Sequence, residues 1–151
     1  MIKRLSGILI ISAMLTACSN VKPYDSTYKK NLYINSKTDD DVNAAIDIYH
    51  VNNSCKYDYK GTVTLKDGKN RIGLKENQAN YLVVSFTTSS FWASSTSSMS
   101  QDMTIKPNKK YSYKLNLSYM DDIYNIELKK THLKSKRTSI VITENSMCNN
   151  R

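Results

Sequence analysis

Residues Lys110 to Met120 alternate without a break. Tyr111, Tyr113, Leu115, Leu117 and Tyr119 face one way, and Ser112, Lys114, Asn116 and Ser118 face the other. In an extended chain successive side chains point to opposite faces, so this period of two predicts a strand with one buried face. The same signal recurs along the chain. Leu32 and Ile34 alternate with polar neighbours; Ile46, Ile48 and His50 share a face, with Tyr49 and Val51 on the other. Val63 and Leu65 precede Asp67-Gly68, a turn signal, and Ile72 and Leu74 follow it, so Gly68 to Leu74 reads as a hairpin arm ending in Ile-Gly-Leu. Tyr81 to Thr88 is apolar on both faces, as a central strand is. Met99, Met103 and Ile105 run up to the Pro107-Asn108 turn. Tyr124, Ile126 and Leu128 come after Met120-Asp121-Asp122, and Ile140 and Ile142 form a last strand. Eight or nine short strands at these spacings predict an all-β chain, a small antiparallel β-sandwich. Asp39 to Ala45, acidic at its start, is the one stretch that reads as a short helix.

The N-terminus is organised differently. Lys3 and Arg4 precede an apolar run from Leu5 to Ala17 that ends in the small residues Thr16 and Ala17 before Cys18. That is the layout of an export signal. The run is shorter than the about 20 apolar residues that cross a bilayer, so residues 1–17 are expected to be removed. Ser19 to about Lys30 is polar and aperiodic and reads as a tether. The expected organisation is therefore a signal peptide (1–17), a modified N-terminus with its tether (18–30) and one β-sandwich domain (31–151).

Leu15-Thr16-Ala17-Cys18 resembles the lipobox of bacterial lipoproteins. The resemblance implies a diacylglyceryl thioether on Cys18, usually with a third acyl chain on its amine, and two or more chains make membrane attachment stable. In that family Asp after the cysteine retains the protein at the inner membrane. Ser19 here implies the outer membrane, with the domain facing the periplasm. The rest of the chain resembles, in pattern only, the transthyretin-like or immunoglobulin-like modules of bacterial lipoproteins, through Gly68 to Leu74, the central apolar strand and the Pro107-Asn108 turn before the Tyr-rich strand. No activity follows from that likeness.

The formal charge is +9 and falls by two with loss of Lys3 and Arg4. Net basicity suits an anionic neighbour such as lipid headgroups or cell-wall polymer; an exported, anchored chain does not normally meet nucleic acid. With Cys18 assigned to lipid, Cys55 and Cys148 are left as an even pair in an oxidising compartment, which reads as one disulfide. A loop of roughly 90 residues would give about 4 to 5 kcal/mol in the chain-entropy account. Free thiols or a metal site are the alternatives, but neither cysteine has His or a second Cys at ligand spacing.

Catalytic constellations are sparse. There is no Gly-x-Ser-x-Gly elbow and no Gly-rich phosphate loop. His50, on an apolar strand face, reads as a satisfied structural histidine, and His132 lies in the basic run Lys129 to Arg137, which reads as a solvated loop. Asp39-Asp40-Asp41 and Asp121-Asp122 lack the ligand spacing of a calcium loop. No enzyme activity, cofactor or metal is expected. Two partner-binding candidates remain. Phe91 and Trp92 interrupt a Ser/Thr-rich stretch and serve either as aromatic anchors for a partner or as a plug at the end of the sandwich. Lys129, Lys130, Lys134, Lys136 and Arg137 form a cluster able to rest on headgroups or glycan.

These features lead to a membrane-anchored lipoprotein that acts as a non-enzymatic binding or accessory module for another envelope component, protein or glycan. The alternative is an inhibitor or immunity lipoprotein that neutralises a periplasmic toxin or wall hydrolase, with the Trp92 loop entering the enzyme's cleft.

Overall fold

A computed structural model describes residues 21–89 and 96–141, with nine strands and no helix among them. The strands are β1 (Leu32–Thr38), β2 (Val42–Val51), β3 (Tyr57–Leu65), β4 (Gly68–Ile72), β5 (Ala79–Ser89), β6 (Thr96–Ile105), β7 (Tyr111–Met120), β8 (Ile123–His132) and β9 (Thr138–Val141). They form a five-stranded sheet in the order β4-β1-β7-β8-β9 and a four-stranded sheet in the order β3-β2-β5-β6. Every pairing is antiparallel except β1 with β7, which is parallel.

The strongest alternation in the sequence becomes the middle strand of the larger sheet. Tyr113, Leu115, Leu117 and Tyr119 of β7 are buried, and Leu32, Ile34 and Leu128 extend that face to either side. Opposite them the four-stranded sheet presents Ile46, Ile48, Leu82, Val84, Phe86 and Ile105. The Phe86 and Tyr119 rings meet across the layer at 5.5 Å. Each such side chain contributes about 1.5–3 kcal/mol when fully buried, so the facing rows at period two hold the two sheets together.

The structure corrects four local expectations. Asp39 to Ala45 is not helical: the chain turns at residues 39–41, Val42 N donates to Asp39 O at 3.0 Å, and Val42, Ala44, Ile46 and Ile48 are buried in strict alternation. Burial at period two outweighs a weak acidic start signal. Asp67-Gly68 is a turn but not a hairpin, because β3 belongs to one sheet and β4 pairs with β1 in the other. Asp67 Oδ1 accepts from Thr38 N (3.0 Å) and Thr38 Oγ1 (2.9 Å), fixing this crossover to the end of β1. The last strand packs with the opposite parity to that expected. Ile140 is 63% exposed, Val141 lies against the core, and Ile142 is outside the described residues. In β5 the core face is Leu82, Val84 and Phe86, whereas Tyr81, Val83 and Ser85 are only half-buried on the outer face.

The expected tether differs as well. Thr62 N donates to Lys22 O and Tyr24 N to Thr62 O, both at 2.9 Å, which lays the segment alongside β3 through a parallel bridge at Pro23. Further on, Tyr24 OH and Ser26 Oγ both donate to Gly73 O, at 2.7 and 2.5 Å. Asn31 then exchanges two 2.8 Å hydrogen bonds with the backbone of Leu74. Residues 22–31 are bound to the domain as a strap.

The strands run between two ends. At one lie the turn 39–41, the crossover 66–67 and the β7–β8 turn 121–122, joined where Asp121 N donates to Asp39 Oδ2 at 2.9 Å. Asp121 and Asp122 both have positive φ, 52° and 61°, the two-residue type I′ geometry suited to twisted hairpins. At the other end lie loops 52–56, 73–78, 106–110 and 133–137. Asn77 N donates to Pro107 O at 2.8 Å there, and Leu133 N to Lys110 O at 2.9 Å.

Candidate functional site

Four of the sequence-derived site residues, Cys18, Phe91, Trp92 and Cys148, lie outside the described residues. Cys55 sits at the tip of the β2–β3 hairpin with φ 57°. Asn52 builds that tip: its Oδ1 accepts from Ser54 N at 2.9 Å and Lys56 N at 3.0 Å, and its carbonyl accepts from Cys55 N at 3.0 Å.

The basic cluster is not one patch and not one loop. Lys129 and Lys130 belong to β8 and, as neighbours in a strand, point to opposite faces. Lys129 Nζ lies 2.7 Å from Glu127 Oε2, an oxygen that also accepts from Asn116 Nδ2 at 3.3 Å. The lysine holds the Glu127 carboxyl below its usual range. Lys130 instead lies over the Tyr111 ring, 4.2 Å from its centroid, and near that of Tyr113 at 5.7 Å. Only Lys134, Lys136 and Arg137 are in the exposed 133–137 turn. His132 closes that turn: its Nδ1 accepts from Ser135 N at 3.1 Å, and its ring meets Tyr111 edge-on at 5.1 Å. Strand pairing, not solvation, sets the first half of the run.

His50 is buried, at 7% exposure, but it is not satisfied, because its Nε2 has no hydrogen-bond partner. The strap covers it, with the Tyr28 ring 6.2 Å away. His50 itself lines a cavity of about 310 Å³, together with Lys22, Asp25, Tyr28, Lys60 and Lys75. Burial, then the charges of Lys60 and Lys75, hold the imidazole below the ordinary histidine value, with Asp58 opposing them.

Sequence reasoning missed a group of tyrosines on the outer face of the four-stranded sheet. Tyr59 meets Tyr49 at 5.2 Å, Tyr49 meets Tyr81 at 5.8 Å, and Tyr81 meets Tyr57 at 4.8 Å, all tilted or edge-on, the arrangement the ring quadrupole favours. A bulge at Ile48/Tyr49 sets the register, pairing Tyr49 with Tyr59 and Val51 with Tyr57. Tyr57 is 50% and Tyr59 37% exposed. Polar groups border the rings: Tyr59 OH and Thr62 Oγ1 are 2.6 Å apart, and Thr62 Oγ1 in turn donates to Asp47. Burial, then Asp47, pushes the Tyr49 phenol up; burial, then Asp102, does the same to Tyr81. The available signal was Tyr57 and Tyr59 at period two beside a strand with Tyr49 on its outer face.

Among the described residues no group of three or more His, Cys, Asp or Glu side chains is placed to hold a metal ion. The fold and its surfaces define the chain as a small β-sandwich with aromatic and charged outer faces. No family model and no curated protein matches it. Among solved structures it is similar to a crystal structure of transthyretin from Sparus aurata, with 15% identity, coverage of 68% of this chain and 99% of that chain, and a TM-score of 0.44.

Proposed function

We propose that the chain is a lipid-anchored protein of the cell envelope whose sandwich is a non-enzymatic binding module for another envelope component. The lipobox at Leu15 to Cys18 supports the anchor and, with Ser19, an outer-membrane location facing the periplasm. With Cys18 in thioether linkage, Cys148 is the remaining partner for Cys55. The observation that carries the binding role is the exposed tyrosine cluster on a rigid sheet. Tyrosine is enriched at interfaces and among their energetic centres, and a sandwich holds such side chains at little entropic cost.

The test is cross-linking in intact cells through a photoreactive group at position 59, with and without Tyr57→Ser. Loss of a tyrosine at the centre of an interface costs about 2 kcal/mol or more of binding, so recovery of the cross-linked partner should collapse while the melting temperature hardly moves. Unchanged recovery would remove the tyrosine face from the binding site. A recovered toxin or wall hydrolase would turn the reading to the inhibitor alternative. Mass analysis tests the anchor independently, since a mature chain whose Cys18 carries no lipid refutes it.

A further inference from the structure

Charge in this sandwich is sorted by end. Among the described residues, the turns and crossover at 39–41, 66–67 and 121–122 carry six carboxylates and one cation, whereas loops 52–56, 73–78, 106–110 and 133–137 carry eight cations and one carboxylate, Glu76. Strands of about ten residues at about 3.3 Å each hold the two poles roughly 30 Å apart. The sequence scatters these residues over the whole chain, and only the up-and-down course of the strands gathers them.

The basic pole has two further features. Loops 106–110 and 133–137 are hydrogen-bonded to one another through Leu133 N and Lys110 O. Leu133 stands 45% exposed among their cations, beside a cavity of about 290 Å³ that Lys29, Lys30 and Lys109 also line. An exposed apolar side chain ringed by cations matches the boundary between acyl chains and headgroups. The strap adds direction. Its bridge to β3 is parallel, and β3 runs from the basic pole towards the acidic one, so Val21 is the residue of the Val21–Tyr24 stretch nearest the basic pole.

We propose that the basic pole is a docking surface for an anionic lipid bilayer, on which it rests with loops 106–110 and 133–137 foremost and the acidic pole turned away. Neutral phospholipid gives the cations no complementary charge, whereas a negative surface potential attracts each of them. The proposal deepens the envelope reading by assigning the domain an orientation. It does not depend on lipid at Cys18.

The test uses the unlipidated chain from Ser19 to Arg151. This keeps every described element, and the core with the side chains packed against it lies within Tyr24–Val141. Co-sedimentation is measured with vesicles of phosphatidylcholine alone and with about 30% phosphatidylglycerol, at low and then at about 300 mM salt. Binding to the anionic vesicles only, and its loss in salt, is expected. Removing a surface cation should weaken binding about fivefold, so Lys109→Gln with Lys134→Gln should weaken it about 25-fold. Asp40→Asn with Asp41→Asn, at the acidic pole, should leave it within about twofold. Equal binding to both vesicles, no binding to either, or equal losses from the two pairs would overturn the proposal. So would displacement by inorganic phosphate at matched ionic strength, which would assign the pole to a small soluble anion. Vesicle binding by this chain alongside an unmodified Cys18 in cells would sink the anchor and leave the docking surface standing.

Discussion

Replacing Gly61 with Ala should release the strap from the domain. Gly61 has φ +143°, and a Cβ there would lie 2.7 Å from both Cα and N of Tyr24 and 2.8 Å from the carbonyl carbon of Pro23. These are backbone atoms, so no rotamer change relieves the clash. The chain can yield only by moving the strap or by bending β3, which is held by its pairing with β2. Releasing the strap gives up the two backbone hydrogen bonds at Thr62 and the Tyr24 and Ser26 bonds to Gly73 O. At about 1 kcal/mol net for each, the ceiling is about 4 kcal/mol. The freed segment regains conformational entropy, while an Ala held at this φ adds strain of about 1–3 kcal/mol. A loss of about 2–4 kcal/mol is expected by urea denaturation, together with faster tryptic cleavage after Lys29 and Lys30. Gly73→Ala acts on the same segment, since its Cβ would sit 2.2 Å from Tyr28 O and 2.6 Å from Ser26 Oγ. If both substitutions act by freeing one strap, their costs should not add in the double variant. Unchanged tryptic protection with a loss below about 0.5 kcal/mol, or full additivity, would refute this account.

Three further outcomes follow from the core and the buried histidine. Leu115→Ala, at a fully buried position in the middle strand of the five-stranded sheet, should cost about 2–5 kcal/mol in equilibrium denaturation; a loss below about 1 kcal/mol would mean that β7 does not carry the inter-sheet packing. Because His50 is held below its ordinary pKa of 6.5, chiefly by burial, the folded chain takes up its proton at lower pH than the unfolded chain. Its contribution to stability is therefore complete above about pH 6.5 and is lost as pH falls through the depressed folded-state value; melting curves from about pH 7.5 to 5 should show this, and the same slope in His50→Leu would exclude His50 as its source. At neutral pH, His50→Leu should cost little, since Nε2 has no partner to lose, and replacing an unpaired buried polar group with an apolar one is nearly neutral or favourable.

The sequence by itself determined the class of fold and most of the strands. Period two is a property of neighbouring residues, and in β7 it decided which of Tyr113 to Tyr119 would be buried before any partner strand was known. The lipobox expectation at Cys18 is likewise local. What the sequence could not decide were relations between distant residues. Asp67-Gly68 looks the same whether it joins two strands of one sheet or crosses between sheets; only the pairing of β4 with β1 settles it. Ile140 and Val141 are both good strand residues, and register alone chose which of them packs inward. The strap read as a tether because its anchor points, Thr62 and Gly73, are roughly forty or more residues away in the chain. The tyrosine cluster and the two charged poles have the same origin. Each gathers side chains from several strands or loops, and only the antiparallel course of the sheets carries those residues to one face or one end.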